Sequence, residues 1–545
     1  GAGIEWERNK MERYWPTYGI TMQWDYYNGN PYYYRGFYNL TGPHPTRGDG
    51  RLGFSNGGEN RDDIWQCYNG ERAGMYIQDV WSIKNRLTIN LGLRVDYDRI
   101  FFPTFHLKER PGLAYEIGQA YVKPALGWNP WAAYDIPALG NVVKFMNLSP
   151  RLGISYDPFG DGKTALKIAF SYYHEPVANG EVSTSSPTEQ TAFKFDWWDL
   201  NNNGVPDSPG IDKYNPTGGF GQFKYPDLEA LKARVDPNLE APLYTEFIVS
   251  VHRQLFKDFS IQAQFLLKKH KGTMLSADYD PVTGLYFYDL NDITSSWWVP
   301  FTTTVPAVDD FPASTIDMYF LSNDAPWSMR IARTFNYPGT YRKYSGLELI
   351  FNKRWSGRWS LGGSVVFSKM RILTTSGLNS PNDLINTWGL ADVDRPLSLK
   401  LFGAFKLPLG FVTSFFFWGQ SGSPYCRTVT VVPPASWASN NNVRAVNYSV
   451  RLEPTGSRRL RNFVPNLDFR LEKEFGLPKG KIGAFVDVYN LLGDKYANKM
   501  LNPAGTWRPV DNNTDQGTYI LASNYGKVTS IDATRVVKLS IRYTF

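Results

Sequence analysis

The stretch RLTINLGLRVDYD, residues 86–98, alternates apolar and polar side chains from one end to the other. Successive side chains of a β-strand point to opposite faces, so a period of two predicts a strand with one apolar and one polar face. The polar face carries Arg94, Asp96 and Asp98. The apolar face consists of Leu87, Ile89, Leu91, Leu93, Val95 and Tyr97.

The same alternation returns in other parts of the chain. In residues 536–545, apolar side chains at odd positions oppose Lys538 and Arg542 over about the ten residues that a tilted transmembrane strand needs. Further alternating segments lie at residues 259–267, 347–351, 466–475 and 482–488. The charged side chains predicted on the inner face are Asp468, Arg470, Glu472, Glu474 and Arg542, and they could contact either a plug or water.

A soluble β-sandwich would alternate in the same way, so the connections must separate the two folds. Outer-membrane barrels join strands by short periplasmic turns and long extracellular loops. Short links lie near residues 82–85, 157–162, 256–258, 356–358, 407–410 and 476–480. Long segments alternate with them, at about 99–147, 175–242, 271–340, 370–394, 421–463 and 492–533. Because structureless loops beyond about 15 residues are uncommon in compact soluble domains, the chain is predicted to be all-β, an antiparallel transmembrane β-barrel.

The number of strands can be counted back from the C-terminus. Additional strands are predicted near residues 72–81, 31–39 and 14–27, with a turn at 28–31, which gives about 15 strands. A barrel in lipid must close because an open edge leaves backbone groups unsatisfied, and single-chain bacterial barrels have an even strand number. We therefore expect about seven further strands and 22 in all.

Composition and charge exclude two other classes of protein. No stretch approaches the roughly 20 apolar residues of a membrane-spanning helix, which excludes a helical membrane protein. Aromatic residues form 16% of the chain, which points to sheet and membrane interface. The net charge is +7, but basic residues such as Arg94 and Lys538 alternate with apolar ones instead of clustering. This scatter indicates a solvated lumen and rim, so no nucleic-acid partner is expected.

The N-terminus and the cysteines give two weaker expectations. The chain opens Gly1-Ala2-Gly3, without an initiator Met and without the basic and apolar regions of a signal peptide, so we expect a mature or partial chain. Only Cys67 and Cys426 occur, which is too few for a disulfide framework. The sequence leaves open whether these two cysteines pair.

Several blocks of sequence resemble the C-terminal barrel part of TonB-dependent receptors, most closely the Oar-type subfamily. The blocks follow the order of that family, and together their spacing is fairly specific. They cover nearly every predicted strand and almost none of the long loops. They are residues 75–81 with 87–94, 148–153 with 156–162, 236–239 with 253–255, 344–348 with 352–354, 394–396, 407–408, 421–425 and 486–492.

The resemblance implies a bacterial outer-membrane receptor, a 22-stranded barrel in lipid that is filled by an N-terminal plug. It implies uptake of a scarce ligand, driven by a TonB-type energy-coupling complex, with the plug and first strands supplied by the same or another chain. The terminal Phe545 resembles the signal that barrel-assembly machinery reads, although an aromatic residue also anchors a strand at the lipid interface. The alternatives left open are a diffusion porin and a structural or protein-export barrel.

Residues 199–207 read Asp-Leu-Asn-Asn-Asn-Gly-Val-Pro-Asp and place oxygen atoms at alternate positions of a predicted loop. The spacing matches the first nine positions of a calcium loop, with Gly204 at the sharp turn. Gly210 stands where the usual bidentate Glu would be, although Asp212 is close. A calcium site and a solvated Asn/Gly turn are both open. The calcium ligands would be Asp199, Asn201, Asn203, Val205 through its carbonyl, and Asp207.

Aromatic clusters could stack on sugars or other ring-bearing ligands, or they could pack within the protein. For Tyr32-Tyr33-Tyr34, at a predicted strand end, an interface girdle is favoured. For two tryptophan pairs in the long loops, ligand contact and loop packing are equally open. These tryptophans are Trp197, Trp198, Trp297 and Trp298.

No catalytic constellation occurs in the sequence. The five histidines lie on separate predicted strands and loops, without the spacing of a metal site. Carboxylate pairs such as Asp309-Asp310 would face opposite sides of a strand. A nucleophile elbow, a phosphate loop and a zinc signature are all missing. An enzyme is therefore not expected, and the fold does not fix the ligand.

Overall fold

Strands dominate the computed structural model of this chain. The structure describes residues 2–13, 23–27, 30–35, 50–55, 66–107, 109, 111–129, 131–177, 182, 192–203, 206–218, 231–290, 297–307, 312–326, 330–375, 377–444, 446–494, 497–500, 504–510, 517–523, 528–531 and 534–545. Among these residues, no helix combines the length and apolar character that crossing a membrane would need.

One antiparallel sheet, the wall, contains fourteen strands that pair in chain order and a fifteenth, Trp388–Leu390, that pairs beside one of them. The fourteen are β1 (Ala2–Arg13), β2 (Gln66–Ile83), β3 (Leu87–Phe102), β4 (Leu139–Tyr156), β5 (Thr164–His174), β6 (Leu243–Phe256), β7 (Phe259–Lys271), β8 (Thr340–Ser356), β9 (Trp359–Leu373), β10 (Leu397–Lys406), β11 (Phe411–Gln420), β12 (Val464–Leu477), β13 (Gly480–Tyr489) and β14 (Val536–Thr544). Among the described residues the sheet is open, because β1 pairs only with β2 and β14 only with β13.

Tight turns join the wall strands at one end, as predicted. Lys84, Asn85 and Asp258 have positive φ angles of 48°, 53° and 65° in two of these turns. In a longer turn, the Asp157 carboxylate accepts hydrogen bonds from three backbone N–H groups. The nearest is that of Gly162, whose nitrogen lies 2.8 Å from Asp157 Oδ2. The hydrogen bond from Gly162 contributes most to lowering the pKa of the Asp157 carboxyl below its ordinary value. These local contacts fix the register of the adjoining strands.

The two faces of the wall differ as the alternation predicts. On the outer face large apolar side chains lie exposed, such as Met146 at 77% and Ile541 at 81%. Their neighbours along the strands point to the other face, where Asn147 and Ser149 are buried. Apolar side chains on the outer face of an outer-membrane barrel contact lipid. The antiparallel transmembrane wall predicted from the sequence is confirmed.

The predicted wall strands at 14–27 and 31–39 are wrong. Gln23–Tyr27 and Asn30–Arg35 form a hairpin in a separate five-stranded sheet with Gly50–Ser55, Ala192–Trp198 and Lys213–Gly218. The strand that pairs with β2 is instead Ala2–Arg13. Tyr32 to Tyr34 therefore lie outside the wall, which corrects their prediction as an interface girdle. The error arises because an alternating pattern is the same in a wall strand and in a strand of a loop sheet.

The long connections contain secondary structure of their own. Their further strands are Phe105–Leu107, Tyr134–Ile136, Met274–Asp280, Leu285–Tyr286, Trp298–Val305, Ser314–Leu321, Ile331–Asn336, Pro424–Tyr425, Thr428–Val431, Tyr448–Arg451, Arg458–Arg459, Ala497–Met500, Ala504–Pro509, Gly517–Leu521 and Val528–Ile531. Their short helices lie at Leu113–Ile117, Gly118–Val122, Lys123–Leu126, Pro381–Leu384 and Ala435–Asn440, and one further helical turn, Pro408–Gly410, lies in the tight turn between β10 and β11.

Three connections share one apolar core. We call the described parts of residues 297–326, 424–459 and 504–521 the cap. Thr428–Val431 pairs with Tyr448–Arg451 and, in parallel, with residues 504–507. Burial of these side chains is the main favourable contribution to the folding of the cap. The core contains Phe301, Val305, Ile316, Met318, Phe320, Val429, Val431, Ala438, Val443, Val450, Leu452, Trp507 and Tyr519.

Candidate functional site

The inner face of the wall carries charge pairs on its last three strands, β12 to β14. Arg470 Nη2 donates to Asp487 Oδ2 at 3.1 Å, and Arg542 Nη2 lies 3.1 Å from Glu474 and 3.8 Å from Glu472. The sequence placed four of these five side chains on the inner face, and the structure confirms that placement. Opposite charges alternate here, so this part of the inner face carries no single sign of charge.

At the long-loop end of the inner face, three rings stand in one cross-strand row. Tyr173 pairs with Tyr244, Tyr244 with His270, and His270 with Arg342. The Tyr173 and Tyr244 rings stack with centroids 5.3 Å apart, and the Tyr244 and His270 rings stack at 4.1 Å. Strand register alone places these side chains together, because each comes from a different strand.

A cavity of about 350 Å³ opens beside this row. Lys268 lies 5.3 Å from the centre of the Tyr244 ring and 3.3 Å from the Glu246 carboxylate. The cavity therefore combines π-faces, an ammonium group and a guanidinium group. It is lined by Tyr173, Tyr244, Lys268, His270, Arg342, Tyr344 and Met370.

Three nitrogens at this cavity lack a hydrogen-bond partner among the described residues. They are Nδ1 and Nε2 of His270 and Nε of Arg342. The His270 residue is only 4% exposed, and its Nε2 lies 3.7 Å from a carboxylate oxygen of Glu175. A buried donor without a partner costs about 1–3 kcal/mol, so a polar guest that supplies an acceptor would be stabilised here. We call these lining residues the lumen site.

The predicted calcium loop forms a closed turn of hydrogen bonds. Asn201 Nδ2 and Asn203 Nδ2 both donate to Asp207 Oδ2, at 2.7 and 2.6 Å. The Asn203 backbone N–H donates to the Asp199 carboxylate at 3.2 Å. The predicted ligands Asp199, Asn201, Asn203 and Asp207 are thus brought together, while Gly204 and Val205 lie outside the described residues. No group of three or more acidic, His or Cys side chains suited to a metal occurs in the described part of the chain.

Asp212 organises this loop from inside. It is 2% exposed and accepts hydrogen bonds from Trp197 Nε1 at 2.8 Å and from the backbone N–H of Leu200 at 3.1 Å. The N–H of Asp207 also donates to it, at 2.9 Å. A carboxylate with these donors has a structural role, and it holds the two ends of the loop together.

Three of the four loop tryptophans are packed inside the protein. Trp197, Trp297 and Trp298 are 1%, 5% and 4% exposed. Trp298 Nε1 donates to the carbonyl of Phe287 at 2.7 Å, and the Trp297 ring stacks on that of Phe287. These three side chains pack within the loops in this structure, and their contact with a ligand stays a prediction. Trp198 is half-buried, with Lys213 Nζ 4.9 Å from its ring centre, and ligand contact there stays a prediction.

The remaining residues with a sequence-based prediction are Phe545 and the two cysteines. Phe545 follows β14, is fully exposed, and its ring stacks on that of Tyr543 with centroids 5.9 Å apart. Its role as an assembly signal stays a prediction, which heat-modifiable mobility of a protein lacking Phe545 would test. Cys426 is half-buried. The side chain of Cys67 lies outside the described residues, so pairing of the two is untested.

Sequence reasoning missed the lumen site. Long connections separate Tyr173 from Tyr244 and His270 from Arg342, and the juxtaposition of all four follows from the strand register. The one available signal was their shared position, on the polar face close to the long-loop end of each strand. His270 was considered only as a metal ligand by its sequence spacing, which is a different kind of site.

Comparisons with known proteins agree with this wall. A family model described as an outer membrane beta barrel domain matches residues 2–421. The TonB-dependent transporter Oar of Myxococcus xanthus is 21% identical, over 87% of this chain and 42% of its own length. The chain thus spans less than half of that relative. The resemblance to TonB-dependent receptors predicted from the sequence is confirmed, and the prediction of a non-enzymatic protein agrees with it.

Solved structures with a similar arrangement include two transporters and a receptor. The FrpB iron transporter from Neisseria meningitidis has a TM-score of 0.39 at 11% identity, covering 87% of this chain and 45% of that one. The ferripyoverdine receptor of Pseudomonas aeruginosa has a TM-score of 0.38 at 10% identity, covering 88% and 39%. The outer membrane transporter YddB from Escherichia coli has a TM-score of 0.39 at 12% identity, covering 87% and 54%.

Proposed function

Because this chain belongs to the outer membrane β-barrel domain family, we propose that it forms the greater part of the wall of a receptor that takes up a ligand by TonB-coupled active transport. The protein lies in the bacterial outer membrane. The similarity to a TonB-dependent transporter supports the energised step. The observation that carries ligand uptake is the lumen site, where buried donors without partners among the described residues face the interior of the wall near its long-loop end.

We propose that further strands, from the same or another chain, close the wall. The outer edges of β1 and β14 have no partner among the described residues, and unpaired backbone groups in lipid are strongly unfavourable. Eight more strands would bring the fourteen in sequence to the 22 of plugged outer-membrane transporters. A plug in the lumen would contact the charge pairs at Arg470 and Arg542.

Conductance and TonB binding test this function with the full-length protein from its native outer membrane. In planar bilayers a plugged receptor conducts little, whereas a diffusion porin gives a steady open current. We expect a closed channel, and we expect the periplasmic domain of TonB to co-purify with the protein. A steady open current would favour the porin. A closed channel that does not bind TonB would favour a structural or protein-export barrel.

We also propose that the loop at residues 199–207 binds calcium. Rotation of the Asn201 and Asn203 amides would turn their oxygens toward the Asp207 carboxylate, and a cation between these groups would replace the present amide donors. We expect millimolar calcium, but not magnesium, to slow proteolysis of this loop by about tenfold. Asp207→Asn is expected to abolish the effect. Asp317→Asn, an exposed carboxylate elsewhere, should retain it, and equal protection of the Asp207 variant would contradict calcium binding here.

A further inference from the structure

Five basic side chains gather on the outer face of the wall at its long-loop end. Lys269, Lys343 and Arg371 are direct cross-strand partners on β7, β8 and β9. Side chains at alternate positions share a face, and the exposed Phe265, Leu347 and Phe367 place this face toward lipid. The same face carries Lys369, and Lys271 lies two residues beyond Lys269. We call these five residues the basic patch.

None of the five is paired with a carboxylate within 4.0 Å among the described residues. Lys343 stands directly opposite Lys269 on the neighbouring strand, and Lys271 lies two residues farther along β7, so both charges repel that of Lys269. Two other basic residues near the long-loop end of the wall differ in this respect. Lys268, on the inner face, lies 3.3 Å from Glu246, and Arg99, on the outer face of β3, lies 3.4 Å from Glu71.

Like charges directly opposite each other on neighbouring strands destabilise a sheet. The row Lys269, Lys343 and Arg371 puts three such charges on adjacent strands. The repulsion is relieved if an anion with more than one negative charge lies across the row. The protein supplies no such anion in its described residues, so the counter-charge is expected from outside.

The level of the basic patch identifies the source of this anion. Phe265, Leu347 and Phe367 form an apolar cross-strand row, and the Lys269 row lies four residues farther along the strands, about 13 Å toward the long loops. Apolar outer side chains mark the hydrocarbon region, and the long loops mark the extracellular side. The basic patch therefore stands at the headgroup level of the outer leaflet.

We propose that the basic patch binds the phosphate groups of a phosphorylated lipid headgroup in the outer leaflet. Side chains on three adjacent strands, about 5 Å apart, can contact two phosphates of one headgroup at once. The acyl chains of the same lipid would lie along the apolar row below it. This interaction depends on the wall and its orientation, and it is independent of the ligand carried through the lumen.

Native mass spectrometry of the full-length protein in detergent can test this proposal, with diphosphoryl lipid A as the probe. In the test variant, Lys269→Gln, Lys343→Gln and Arg371→Gln are combined. We expect its apparent Kd for the probe to rise about 100-fold. This is the change in affinity expected when three basic residues near an anionic lipid surface lose their charge. A matched control combines Lys84→Gln, Lys257→Gln and Lys479→Gln, which remove the same charge from the short turns at the opposite end of the wall and should leave the Kd unchanged.

Two further arms distinguish recognition of a lipid headgroup from the binding of free phosphate. The same lipid without phosphates should bind the native protein and the test variant equally, and inorganic phosphate at matched concentration should not displace the probe. Heat-modifiable mobility verifies that both variants form the barrel. Equal Kd values for the test variant and the native protein would overturn the proposal, and displacement by inorganic phosphate would assign the patch to free anions instead of lipid.

Discussion

Replacing Glu453 by Ala is expected to destabilise the cap by about 3–5 kcal/mol, because the change removes the carboxylate that pairs with a buried guanidinium. The side chain of Arg427 is 1% exposed, and its Nη2 lies 3.2 Å from Glu453 Oε2. Arg458 Nε also donates to Glu453, at 2.6 Å. Native-state hydrogen exchange at Thr428–Val431 measures the effect, and protection should fall about 100-fold or more.

The effect of Glu453 also depends on pH. Burial would raise the pKa of this carboxyl, but hydrogen bonds from Arg458 and Arg427 outweigh burial and hold the pKa below its ordinary value of 4.5. Its stabilising contribution is therefore complete above the unfolded pKa and is lost as the pH falls through the lowered folded pKa. We expect Glu453→Gln to remove this acid dependence. Asp317→Asn, on an exposed face of the cap, should change protection by less than about 0.5 kcal/mol.

Replacing Gly389 by Ala is expected to open the junction between the wall and the cap. Overpacking costs about 1–3 kcal/mol, and we expect the destabilisation here to lie at the upper end of that range. A Cβ at this position would lie 2.7 Å from the carbonyl carbon of Thr455 and 2.8 Å from its backbone nitrogen. These atoms cannot move freely, because Leu390 N–H donates to the Thr455 carbonyl at 2.7 Å and Thr455 N–H to that of Asn386 at 2.9 Å.

Limited proteolysis within residues 452–459 measures this second effect. The cleavage rate of Gly389→Ala should rise about tenfold or more, because cleavage reports the population of the opened junction. Gly476→Ala is the matched control, since a Cβ at Gly476 meets nothing within 4 Å. Equal cleavage rates for both variants would show that the segment around Thr455 relaxes without strain.

The wall could be predicted from the sequence because its signal is local. The alternation in residues 86–98 depends only on which side of one strand meets lipid, and Leu91 and Leu93 lie exposed on that side. The boundaries were less accurate. The sequence predicts a loop that extends to residue 147, but the strand β4 already begins at Leu139. Val143 and Phe145 continue the strand because their side chains are buried in a core above the membrane level.

The parts that sequence reasoning could not supply depend on contacts between distant segments. The hairpin at Gln23–Arg35 has the pattern of a wall strand, but its neighbours in the five-stranded sheet include residues 50–55 and 192–198. The cap core likewise joins Phe301, Val429 and Trp507. The lumen site and the basic patch each require the register of several strands. The sequence shows these residues only as separate polar positions.

The cap core has a consequence for exchanging surface loops between related barrels. Each of its three connections uses the other two as the apolar surroundings of its own buried side chains, as Phe301, Val450 and Trp507 illustrate. A single connection transplanted onto another barrel would expose these side chains to water. It would therefore not keep the conformation that it has in the cap. Grafts and vaccine fragments made from this chain should therefore carry all three connections together, as one inseparable unit.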